Sequence, residues 1–327
     1  MKLPQPTDDV APADALVVNA VLIAVRQAAN VLCDRWSLIT LLFAHAGVDR
    51  FADFRERSGM ANRELTSRLK ALEEQEIMVR LPYTRRPLRY SYHLTHMGLE
   101  LFDVFTTLMH WGHAWHPANG TARVLLEHLD CGAKAVEPRL RCAHCQDVLT
   151  ARSVGRLTVS QKEIERMPAK ETGYRRSTVG LAKRGADQQA PLAHAIEIFG
   201  DKWGIEIIVS AFLRVRTFGG FQAHIGISTN ILADRLSRLV RLGILRQTTA
   251  DEPGRTGAYA LTEKGIALYP VLLAIQAWAD EWLRERVRSP VKLKHRPCGE
   301  PLRLVVACDQ CGTAVTRANA RLHIIRE

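Results

Sequence analysis

The sequence predicts a mainly α chain with small β hairpins, an α+β protein built twice over. Three observations carry this. Asp34-Arg35-Trp36 reappears as Asp201-Lys202-Trp203, a step of 167 residues. The step holds without a gap through Phe51/Phe218, Gly59/Gly226, Arg68/Arg235, Tyr92/Tyr259 and Gly98/Gly265 to Trp111/Trp278 and Trp115/Trp282. Matching histidine and cysteine sets follow each copy. Chance does not keep rare residues in register over so long a stretch, so a domain is duplicated, and each copy is expected to fold around its own core.

Composition narrows the partner. The 327 residues carry 45 Lys and Arg against 34 Asp and Glu, a net charge of +11. That excess points to a polyanion, most simply nucleic acid; a basic protein without such a partner is the alternative. Residues 1–13 hold Asp8, Asp9 and one lysine, unlike an export signal. The apolar run Ala15–Val25 is short, interrupted by Asn19 and followed by Arg26, as in a core helix. A cytoplasmic protein with no membrane partner is expected. Seven reduced cysteines then suggest metal or redox chemistry before disulfides.

The elements follow in order. Residues 1–12 form a proline-containing tail, and a helix runs from about Ala13 to Leu32. Asp34 caps the next helix, whose Trp36, Ile39, Leu42 and Phe43 recur at helical spacing to about His45. Phe51–Arg57 is a short helix, Ser58-Gly59-Met60 a turn, and Asn62–Gln75 a second helix with Leu65, Leu69 and Leu72 on one side. Two short helices around a glycine turn make a helix-turn-helix. Its open face carries Arg63, Thr66, Ser67 and Lys70, suited to phosphates or base edges. Strands Ile77–Leu81 and Arg89–Leu94 flank a basic loop bounded by Pro82 and Pro87 and complete a winged helix. Arg85, Arg86 and Arg89 are its DNA candidates. Thr95 caps a helix reaching Trp115, with an apolar stripe of Leu101, Val104, Phe105, Leu108 and Trp111. That stripe fits an internal core or an interface between two winged helices equally well.

The second copy repeats the order. Ser228 is a better N-cap than its counterpart Ala61. The candidate DNA residues are Thr229, Asn230, Ser237, Arg238 and Arg241 on the helix Thr229–Leu242, and Arg255 on a wing Gln247–Thr256 that also holds Asp251 and Glu252. The first wing should therefore contribute more charge.

Asp-(Arg/Lys)-Trp at a helix start, Arg-Leu-x-x-Leu closing the helix-turn-helix, Tyr-x-Leu-Thr-x-x-Gly after the wing, and the final Trp-x-x-x-Trp together resemble HxlR-type winged helix regulators, relatives of the MarR group. The resemblance covers both copies. It implies a sequence-specific DNA-binding transcriptional regulator, not an enzyme, whose partner is double-stranded DNA. It also implies self-association through terminal helices and an unidentified small-molecule or redox signal, for which Cys33 is a candidate. One unit per chain is usual in that family, so the tandem suggests a covalent pseudo-dimer.

The remaining cysteines form two sets. His128-x2-Cys131 precedes Cys142-x2-Cys145, and His295-x2-Cys298 precedes Cys308-x2-Cys311. Three thiolates and an imidazole close a tetrahedral zinc shell, and the spacing within each copy is that of a zinc ribbon. His144 has no equivalent in the second copy, so His128 is the expected ligand. Two zinc ions per chain are expected, supplying folding energy to segments too small to build a core. Unligated thiols, a Cys-x-x-Cys redox pair, or an accidental His-x2-Cys match that leaves a three-cysteine site are the alternatives. The expected domains are a winged helix at 1–120, a zinc-ribbon-like segment at 121–155, a basic linker at 156–190, a second winged helix at 191–288 and a second zinc-ribbon-like segment at 289–327. A protein-interaction module, or a thiol- or metal-dependent redox protein, is the competing function.

Overall fold

The computed structural model describes residues 12–116, 123–160, 162, 165, 192–248, 257–283 and 291–325. The N-terminal tail, most of the basic linker and the tip of the second wing, Arg255 included, lie outside these residues.

Helix α1 (Pro12–Leu32) leads into α2 (Arg35–His45) through Asp34, whose carboxylate accepts hydrogen bonds from the Ser37 backbone N–H at 2.9 Å and the Ser37 hydroxyl at 2.8 Å. Then come α3 (Phe51–Ser58) and α4 (Asn62–Glu74), joined by Gly59 at φ 69°, a left-handed conformation that glycine adopts without a Cβ penalty. Leu65, Leu69 and Leu72 are the buried stripe of α4, and Phe54 is fully buried beneath it.

The wing is β1 (Met78–Arg85) against β2 (Leu88–Leu94), antiparallel, with Met78 opposite Leu94 and Arg85 opposite Leu88. The expected basic loop is thus mostly strand. Pro82, which cannot donate to the ladder, sits where the register shifts between Pro82 and Thr84. The Thr84 hydroxyl donates to the Pro87 carbonyl at 2.7 Å and tightens the tip.

A second correction concerns the helix after the wing, which is two helices: α5 (His96–Leu99) and α6 (Phe102–Trp115). Thr95 caps α5 by accepting from the Gly98 N–H at 3.2 Å, while its hydroxyl donates to the Glu76 carbonyl at 2.6 Å. A Cβ at Gly98 would collide with the Ile77 carbonyl oxygen, so this turn lies flat on the wing's root and the chain must redirect before α6. Gly265 meets Ile244 in the same way.

After α6 come β3 (Arg123–His128), β4 (Arg139–Cys142) and β5 (Val154–Val159), the last of which runs into the expected linker. The second copy supplies α7 (Ala193–Phe199), α8 (Lys202–Phe212), α9 (Phe218–Ile225), α10 (Thr229–Arg241), β6 (Leu245–Gln247), β7 (Tyr259–Leu261), α11 (Glu263–Ile266) and α12 (Tyr269–Trp282). It ends in β8 (Val291–His295), β9 (Leu304–Ala307) and β10 (Ala320–Ile325). Ser228 occupies the N-cap of α10, but its side chain makes no capping bond, so it gains nothing over Ala61.

The copies do not fold apart. α1 packs on α8, α9 and α12 of the second copy, and its counterpart α7 packs on α2 and α6 of the first. α6 lies against α12. The Trp111 indole donates to the Lys264 carbonyl at 3.2 Å, and the equivalent Trp278 donates to the equivalent Met97 carbonyl at 3.0 Å. Buried apolar residues of both copies form one continuous core, not the two separate cores that the repeat suggested. The α6 stripe is therefore interface as well as core: Leu101, Val104, Phe105, Leu108 and Trp111 are all buried.

The strands are exchanged too. β3 pairs with β10, β8 with β5 and β4 with β9, all antiparallel. In the central pair Leu140 faces its own counterpart Val306. Each small ribbon is thus made half from one copy and half from the other, so the segments expected at 121–155 and 289–327 are not independent units.

Candidate metal centres and nucleic-acid face

The strand exchange re-sorts the predicted metal ligands. His128 and Cys131 meet Cys308 and Cys311; His295 and Cys298 meet Cys142 and Cys145. All eight predicted ligands fall in the two clusters, but each cluster combines the first pair of one copy with the second pair of the other. The sequence pattern could not reveal this, because both groupings use the same spacings.

In the first centre, His128 Nδ1 lies 3.2 Å from Cys131 Sγ and 3.4 Å from Cys311 Sγ, and Cys131 Sγ lies 4.0 Å from Cys308 Sγ. In the second, His295 Nδ1 lies 3.2 Å from Cys145 Sγ and 3.3 Å from Cys298 Sγ, with Cys142 and Cys298 sulfurs 3.9 Å apart. A tetrahedron built on zinc bonds of about 2.0–2.3 Å has edges of about 3.5–3.8 Å, so the donor set fits such an ion.

Local backbone aims the sulfurs. The Gly132 N–H donates to the His128 carbonyl at 2.9 Å and the Gly299 N–H to the His295 carbonyl at 2.8 Å. Both glycines have positive φ, 71° and 77°. His144 is exposed and belongs to neither set.

The first ribbon is anchored to α6 through Glu137. His113 Nδ1 lies 2.6 Å and His110 Nδ1 3.3 Å from its carboxylate, and its backbone N–H donates to Asp309 at 3.0 Å. Burial would raise the Glu137 pKa, but the two histidines outweigh it and hold the carboxyl down to about 2.

On the nucleic-acid side, Arg63, Thr66, Ser67 and Lys70 are all exposed on α4, as are Arg85, Arg86 and Arg89 on the wing. Lys70 Nζ approaches Glu74 at 3.6 Å, a surface pair of little strength. On α10, Thr229, Asn230, Ser237 and Arg241 are exposed. Arg238 is not on the open face. Its guanidinium donates to the Glu197 carbonyl at 3.1 Å and lies 3.9 Å from Asp201. It ties α10 to α7, because at this helix turn the neighbouring surface is acidic protein and not solvent.

Some functional geometry was not read from the sequence. Arg68 reaches Asp34 at 3.3 Å, and the equivalent Arg235 contacts Asp201. The acid that opens the motif thus caps one helix and holds the recognition helix at the same time. The repeated Arg68/Arg235 pair was visible, but its partner was not. A buried ion pair, Arg26 Nε to Glu206 at 2.9 Å, docks α1 on the second copy. Ile39 stands at the position equivalent to Glu206, so no repeat signal marks the pair.

Among the described residues no helix is long and apolar enough to cross a membrane. An uncharacterized HTH-type transcriptional regulator of Mycobacterium tuberculosis is 37% identical over 131 residues, 40% of this chain and 82% of the relative. The HTH-type transcriptional regulator YodB of Bacillus subtilis is 34% identical over 89 residues, 27% of this chain and 80% of that one. The crystal structure of PA1607 shares 35% identity over 39% of this chain and 89% of its own, with a TM-score of 0.36. The HxlR-like helix-turn-helix family matches residues 31–120 and again 198–287, the two stretches that carry the wings, the recognition helices and the facing tryptophans, and the chain belongs to that family.

Proposed function

We propose that the two halves of this transcriptional regulator act as a covalent pseudo-dimer, with α4 and α10 entering major grooves of one duplex and zinc held in both Cys3His sets. The observation that carries this reading is the reciprocal pair of indole bonds, Trp111 to Lys264 and Trp278 to Met97, across packed α6 and α12. Two equivalent helices joined this way fix the relation between the two recognition helices, which is what a bipartite site requires. The zinc would be structural. Each shell is closed by four protein ligands with no place for substrate, so no catalytic role is assigned.

The test is selection from random duplex DNA with the full chain at two salt concentrations, with metal content and mass in solution measured on the same sample. A bipartite site bound by one chain, with about two zinc ions, is the expected result. A single half-site, or binding only by two chains together, would overturn the pseudo-dimer.

One observation favours a second role. Val79, Leu81, Tyr83 and Leu88 on the first wing are all exposed apolar residues. Protein contact at this wing is the competing reading, and salt-insensitive binding to a protein partner without DNA selection would promote it.

A further inference from the structure

The two recognition faces are not chemically equivalent, although the backbones that present them are. Arg63 and Lys70 on α4 correspond to Asn230 and Ser237 on α10, so two exposed cations become neutral amide and hydroxyl groups. Ser67 corresponds to Asp234, whose side chain is 66% exposed and touches the Arg235 guanidinium through one oxygen, Oδ2. Of the arginines on α10, Arg235 is held between Asp201 and Asp234 and Arg238 by Glu197; their side chains are only 18% and 22% exposed. Arg241 is the cation left on the open face of α10.

Resting on the DNA-binding reading above, we infer that the two half-sites are bound by different physics. The first winged helix supplies the phosphate contacts, and α10 reads base edges through Asn230 and Asp234 while Asp234 rejects the backbone. A carboxylate repels phosphate but accepts a hydrogen bond from the cytosine amino group, and an amide can pair with adenine at two points. Serine at position 67 is uncharged and both donates and accepts, so it neither repels phosphate nor selects one base edge. The operator is therefore asymmetric: one half is held by salt-dependent contacts, and the other is chosen by sequence.

The experiment compares four full-length chains on the selected duplex: wild type, Arg63→Ala/Lys70→Ala, Asp234→Ser and Ser67→Asp. All changes are at exposed positions, and circular dichroism and metal content check the fold. Removing Arg63 and Lys70 should cost tenfold or more in affinity and lower the salt slope by about 2. Asp234→Ser should tighten binding to unselected DNA by about threefold to tenfold and relax base preference in the second half-site only. Ser67→Asp should weaken both. Unchanged affinity and preference in Asp234→Ser would overturn the inference, as would an unchanged salt slope in Arg63→Ala/Lys70→Ala. If the wild type selects no site at all, the DNA-binding reading itself fails, and the asymmetry falls with it.

Discussion

Asp34 and Asp201, equivalent residues of the two copies, face each other in an antiparallel β-bridge. A bridge between equivalent positions places a local two-fold axis between them, and the Leu140–Val306 pair marks the same relation among the ribbons. Each aspartate caps its own helix and grips the arginine of its own recognition helix. Residues at the axis thus set the position of the two DNA-facing helices.

The two aspartates should not be equally costly to remove. The Asp34 side chain is 28% exposed, whereas that of Asp201 is 7% exposed and serves both Arg235 and Arg238. Asp34→Ala should cost about 1 kcal/mol, the loss of a cap. Asp201→Ala should cost about 3 kcal/mol, because it removes a cap together with a nearly buried carboxylate and leaves two poorly solvated guanidinium groups with only the more exposed Asp234 and Glu197. Urea denaturation midpoints check the order; equal losses would contradict it.

Metal stoichiometry distinguishes the two ways of grouping the ligands. Cys131→Ser/Cys311→Ser removes two ligands of one set, so one zinc per chain should remain. Cys131→Ser/Cys145→Ser removes one ligand from each set, and both ions should be weakened or lost. Ribbons closed within each copy would give the opposite result. Elemental analysis after dialysis against a mild chelator reads the difference.

His45 is fully buried, and burial, with the positive Arg317 nearby, holds its pKa down to about 3. The unfolded chain takes up this proton at the ordinary value of 6.5, so it binds more protons than the folded chain at any pH between the two. Stability should therefore fall as pH drops from about 6.5 toward 3. Phe212 stands at the equivalent position, packed on Tyr269 as His45 is on Phe102 and Phe105. His45→Phe should flatten the acid side of the stability profile without harming the fold. Thermal melts at pH 7 and pH 5 measure it.

Cys33 is buried, and desolvation, then the negative Asp201, Glu206 and Asp34, raise its thiol pKa far above the ordinary 9.0. Only the thiolate attacks alkylating agents, so Cys33 should stay unlabelled by iodoacetamide in the native protein and react once the chain is unfolded. The unfolded chain alone can ionise this thiol above about pH 9, so its contribution to stability is intact below that and declines above it. Rapid native labelling at Cys33, mapped by mass spectrometry, would restore it as a sensor.

The winged helices were legible because their determinants are local. The spacing of Leu65, Leu69 and Leu72, the glycine turn and the Thr95 cap each act within a few residues. The ligand identities were legible for the same reason. What was hidden is everything that depends on which copy supplies a partner. Exchange of β5 and β10 keeps every spacing unchanged, and Arg238 reads as a surface cation until Glu197 is placed beside it. The break between α5 and α6 was also hidden, because Gly98's contact with the Ile77 carbonyl lies across a fold and not along the chain.

Because β3 is seated on β10 and β5 on β8, neither half of the chain can be subtracted cleanly. A polypeptide stopped after residue 160 would lose β8, β9 and β10, and with them the partners of β3, β4 and β5, half of each metal shell and the helix that covers α6. Cutting the chain between residues 166 and 191 is a different operation, since none of the described cross-copy contacts depends on that peptide. Two separately synthesised fragments divided there should find each other and rebuild the whole, so the molecule lends itself to reconstitution as a split protein.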